Sequence, residues 1–139
     1  YLFYALALSV GPAISEELAF RGVILQGLRS RLGAIGAVIV TSVLFGVIHI
    51  DILQGLGAIM TGMYLGYLTV RSGSIFPAMV AHGVNNLWST VEASLWQALN
   101  PQMSPRDILL SAGYPWWVYG VAGAVLIVAL YGFHRATRA

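Results

Sequence analysis

Residues 14–22 read "ISEELAFRG". Two adjacent glutamates, Glu16 and Glu17, and an arginine, Arg21, interrupt a run that is otherwise apolar from Tyr1 to about Leu28. On a soluble helix such charges would mark a solvent face. In lipid each is costly, and an ionisable group there is a functional candidate by default. The solvent around this stretch therefore decides the fold.

Composition answers that question. Of the 139 residues, 58% are hydrophobic and only 9% are charged, against roughly 25% charged in an ordinary soluble domain. The fold class expected is all-α, a multi-pass transmembrane helical bundle. Five apolar segments stand out: Tyr1 to about Leu28, about Ala34 to Ile50, Ile52 to Val70, Ser74 to about Leu99, and about Pro115 to Phe133. Each is long enough, or nearly so, to cross hydrocarbon about 30 Å thick. The breaks are "RSRLG" at 29–33, Asp51 alone, "RSGS" at 71–74 and "NPQMSPRD" at 100–107. Pro12 predicts a kink or break just before the glutamates. One membrane-embedded domain over 1–139 is expected, with its chemistry at about 10–90 and a further span at about 115–134. The chain opens at Tyr1, directly in apolar sequence and without a charged leader, and is read as part of a longer protein.

The charges set orientation and exclude partners. Arg29 and Arg31, Arg71, and Arg135 and Arg138 follow the first, third and fifth segments. Alternate loops thus carry the positive charge, which places them and the C-terminus in the cytoplasm. No basic stripe with interleaved aromatics is present, so nucleic acid is not expected as a partner. There is no cysteine, so disulfides, thiolate nucleophiles and Cys-based metal sites are excluded. Ala58, Gly62 and Gly66 make a small-residue face suited to helix packing. Trp116, Trp117 and Tyr119 read as an interfacial aromatic belt.

The polar residues within the segments converge in depth. Glu16 precedes Arg29 by thirteen residues, roughly 20 Å of helix, and His49 follows Ala34 by fifteen, roughly 22 Å. His82 and Asn86 follow Gly73 by nine and thirteen, roughly 13 and 20 Å. Residues that served only local packing would not need to agree, so one shared site is expected. Glu17 and Arg21 stand at i,i+4, the register of a helical ion pair. Glu16 points about 100° away, toward a different partner. His82 and Asn86, and Phe45 and His49, are also i,i+4 pairs, and Asn85 sits off that stripe as a packing or supporting group.

A glutamate near histidines can activate water as a general base, with a histidine orienting that water. A histidine and an asparagine can donate to a developing oxyanion. Glu16, His49 and His82 also have the chemistry of a zinc site. Other hydrolytic routes fit poorly. There is no HExxH helix, no nucleophilic serine turn and no lysine for a Ser-Lys dyad. The two aspartates, Asp51 and Asp107, fall in loops.

These motifs carry a resemblance. "EELAFR" at 16–21 matches EExxxR, "FGVIH" at 45–49 matches FxxxH, and "HGVNN" at 82–86 matches HxxxN. In that order and on separate segments, they resemble the CPBP family, which includes the type II CAAX prenyl endopeptidases and bacterial Abi-type proteins. The resemblance implies a helical intramembrane endopeptidase of a prokaryotic plasma membrane. Its substrate would be a protein or peptide, prenylated in some members. It also implies roles: Glu16 as the base, assisted by His49, His82 and Asn86 at the oxyanion, and Glu17 with Arg21 in support. No cofactor is expected, with zinc held by Glu16, His49 and His82 as the alternative. The non-enzymatic rivals are a peptide-binding or bacteriocin-immunity protein of the same fold, and a transporter. Gly/Pro-interrupted inverted repeats would mark the latter, and none is found.

Overall fold

The computed structural model describes residues 2–104 and 116–137, which are helical apart from short turns and contain no strand. The expected loop charges Arg106, Asp107 and Arg138, and the side chains of the aromatic belt at 116, 117 and 119, lie outside what it describes. Helix α1 covers Leu2–Glu17, followed without a break by a π-helical segment, Leu18–Ile24. Helix α2 covers Leu25–Val47, α3 Ile52–Ser72, α4 Phe76–Leu99 and α5 Trp116–Ala136. The chain divides into two units, Tyr1–Trp88 and Ser89–Ala139.

Within the first unit, α1 runs through Pro12 to Glu17, so there is no break in the helix before the glutamates. The irregularity follows them instead. In the π segment the backbone reaches back five residues rather than four, and the bond from Leu25 N–H to Phe20 O closes it. The expected break at 29–33 falls inside α2 at Gly33, whose φ of 68° and ψ of 178° are not helical. Only glycine adopts that conformation readily.

Helix α2 ends at Val47, three residues earlier than expected. Ile50 then takes a positive φ of 63°, and the Asp51 carboxylate caps α3 by accepting from Gln54 N–H at 2.9 Å. At the far end Gly73, at φ 69° and ψ 13°, terminates α3 in a left-handed cap. Helices α2 and α3 form the most extensive pairing, and glycines set their approach. A Cβ on Gly62 would lie 3.0 Å from Ser42, and one on Gly66 would lie 2.9 Å from Val38. Gly46 meets Gly55 and Ile59. These contacts run antiparallel along the two helices, and the small-residue face is packing surface.

Burial in this unit is inverted relative to a soluble protein. Ser9, Glu17, Arg21, Thr41, Ser42, Thr69 and His82 are buried, while Val23, Ile35, Met60, Phe76 and Val84 are exposed. Thr41, Ser42 and Thr69 return their hydroxyls to carbonyls one turn back. This is the pattern of helices whose outer solvent is lipid. The run Leu6–Val47 is long and apolar enough to cross a membrane, and it is the only such run among the described residues. Among the described residues no other helix meets that test, Ala122–Ala136 being apolar but shorter, so five separate spans do not follow from length and hydropathy.

In the second unit, Gln97 Nε2 donates to Met103 O at 3.3 Å after the end of α4. Helix α5 exposes Val125, Ile127 and Val128.

Candidate active site

The site is built around Glu17, the last residue of α1. Its Oε1 accepts from Arg21 Nη1 at 2.8 Å, and both side chains are wholly buried. This is the i,i+4 pair expected, made across the start of the π segment. Arg21 also reaches a third element: its Nη2 donates to the Gly62 carbonyl of α3 at 3.0 Å. Its guanidinium lies 4.8 Å from the centre of the Phe45 ring on α2. A cation over an aromatic face in a desolvated place is stabilised by about 2 kcal/mol.

His82, buried on α4, meets both glutamates. Its Nδ1 lies 2.8 Å from Glu17 Oε1, at hydrogen-bond distance, and its Nε2 stands 3.7 Å from Glu16 Oε2. Helix spacing alone pairs Glu17 with Arg21 and turns only Glu16 toward the histidines. In the structure the closer carboxylate to His82 is Glu17. The reason is geometric, since the two ring nitrogens lie on different edges and adjacent glutamates approach one each. Glu16 is the more open of the two, its side chain 31% exposed.

Phe45 joins the parts. Its ring meets Phe20 edge-on at 5.1 Å, His49 at 4.8 Å and His82 at 5.8 Å. His49 follows the last turn of α2, half-buried, with Nδ1 donating back to Phe45 O at 2.7 Å. That bond leaves Nε2 as the ring's acceptor. Asn86, one turn beyond His82 on α4, is half-buried, and Asn85 lies on the exposed side of that helix. Among the described residues no three of His, Asp and Glu are gathered as metal ligands.

Two participants were not foreseen. The Gly62 carbonyl was hidden in a stripe read as packing, though a small-residue face is what lets a guanidinium approach the helix backbone. Phe20 was one apolar residue among many. Beside the site, an apolar groove of about 380 Å³ runs between α1 and α4, lined by Leu6, Val10, Ala13, Met79, Gly83 and Leu87 among others. Ala13 lies one turn before Glu17, and Gly83 follows His82, so the groove adjoins the carboxylates.

The chain matches the family model of the Rce1-like type II CAAX prenyl endopeptidases over residues 1–88. The chain belongs to this family, a family of integral membrane proteases, as the three motifs indicated. Comparison with curated proteins and with solved structures found no match.

Proposed function

We propose that the protein is a multi-pass intramembrane endopeptidase with its arginine-bearing loops and C-terminus in the cytoplasm. It hydrolyses a peptide bond of a protein or peptide substrate in or next to the bilayer. The family description names a prenylated CAAX substrate, and the apolar groove beside the carboxylates suits a substrate with an apolar portion.

In this reading Glu16 takes a proton from water while the water oxygen bonds to the scissile carbonyl carbon, with His49 orienting the water. The carbonyl π electrons move onto its oxygen, where His82 and Asn86 donate hydrogen bonds. The C–N bond then breaks, and the amine leaves with the proton held by Glu16. Water is thereby divided between the two products. The observation that carries the reading is the half-open Glu16 carboxylate 3.7 Å from buried His82.

The test is reconstitution in liposomes with a prenylated CAAX peptide, products being identified by mass spectrometry. Glu16→Gln should lower kcat by about 10²–10⁴-fold, the usual contribution of a general base, without loss of fold. Turnover retained by that variant would remove Glu16 from the role. Chelation should leave the rate unchanged. A rate lost on chelation and restored by zinc would assign the zinc-dependent form instead.

A further inference from the structure

We infer that Glu17 is a positioning residue for His82, fixing which ring nitrogen faces Glu16 and the substrate; this rests on the hydrolytic reading above. Glu17 Oε1 accepts from Arg21 Nη1 and lies 2.8 Å from His82 Nδ1. An arginine has no acceptor, and a carboxylate oxygen that already receives its hydrogen has none to give. The proton between Glu17 and His82 therefore sits on Nδ1. Nε2 is then the nitrogen left for chemistry, and it is the one facing Glu16.

The surroundings hold this choice. Turning the imidazole by 180° would put a carbon against Glu17 and leave a buried carboxylate without its donor. Phe45 packs edge-on against the ring. Arg21, pinned to α3 through Gly62 O, keeps Glu17 from swinging away. Glu17 Oε2 has no hydrogen-bond partner among the described residues, so one oxygen carries both bonds. The path from the α3 carbonyl through Arg21 and Glu17 to His82 links three helices to the orientation of one ring.

This sharpens the oxyanion step. With Nδ1–H given to Glu17, His82 can donate from Nε2 only when the ring carries a proton on both nitrogens. Carboxylates flank it on both sides. As Glu16 becomes neutral by taking the proton of water, negative charge appears on the carbonyl oxygen at Nε2. Glu17 remains as the fixed counter-charge. No redox partner or further reactant is required.

Two double variants separate positioning from support. Glu17→Leu/Arg21→Met removes the acceptor, and Glu17→Gln/Arg21→Met restores an acceptor oxygen without the charge; neither leaves Arg21 buried and unpaired. The chain has three histidines, so ring-¹⁵N spectra of the labelled protein in detergent are simple, and His82→Gln assigns the signal. Wild type and the Gln variant should show a protonated Nδ1 on His82, and the Leu variant should lose it. Against the prenylated peptide, kcat of the Gln variant should exceed that of the Leu variant by at least about tenfold, with KM little changed. A bare Nδ1 in wild type, or equal kcat in the two double variants, would overturn the inference while leaving Glu16-dependent cleavage standing. Nδ1–H that follows residue 17 in a protein that cleaves nothing would instead overturn the hydrolytic reading and leave only the lock.

Discussion

Glu17 and Arg21 show how two charges persist where water is excluded. Each is held by more than the other: Glu17 also by His82, and Arg21 also by the Gly62 carbonyl and the Phe45 ring. Removing Glu17 alone strands a guanidinium with a carbonyl and a π face. Breaking a buried pair in this way costs about 3–5 kcal/mol, whereas replacing both members with apolar residues of similar volume is often neutral. Glu17→Ala should therefore lower the thermal midpoint in detergent far more than Glu17→Leu/Arg21→Met does. An unchanged midpoint for Glu17→Ala would mean that Gly62 and Phe45 suffice to hold Arg21. The pair itself was legible from spacing, because i,i+4 lies within one helix. The second bond of Glu17 was not. It depends on the rotation of α4 against α1, which no local pattern encodes.

At the scale of helices, α2 and α3 hold the frame on which Arg21 and Phe45 meet. Gly46 is the tightest point: a Cβ there would collide with Ile59 and the Gly55 carbonyl. Gly57, on the open side of α3, has nothing within 4 Å of an added Cβ. Overpacking of this kind costs about 1–3 kcal/mol, while glycine to alanine on an open helix face gains up to about 1 kcal/mol. Gly46→Ala should thus lower the unfolding midpoint and Gly57→Ala should leave it equal or higher. A shift of the same sign for both would show that the helices are free to part. Helix limits near Asp51 and Gly73 were readable because a cap residue and a left-handed glycine are local signals. The π segment was not readable. Seven apolar-rich residues look alike whether the backbone reaches back four or five. Pro12 does not break α1 for a related reason: proline removes one hydrogen bond, and a helix surrounded by others can absorb that loss.

For the whole molecule, the decisive property is the inversion of burial, with polar groups inside and Met60, Phe76 and Val84 outside. Water would not tolerate that surface, and lipid would. Gly33 divides the long Leu6–Val47 run, and residues 34–47 rise only about 21 Å, short of a hydrocarbon core roughly 30 Å thick. The proposed topology, with two crossings by α2 and α3, therefore needs a direct test. The absence of cysteine makes the crossing testable, since each introduced thiol is unique. Ser30→Cys and Ser74→Cys should react with a charged, impermeant thiol reagent only from the cytoplasmic side of sealed vesicles. Ile52→Cys, at the start of α3 and exposed, should react only from the opposite side. Labelling of all three from one side would mean that α2 and α3 dip into the bilayer and return. The arginine alternation would then record a re-entrant hairpin rather than two crossings.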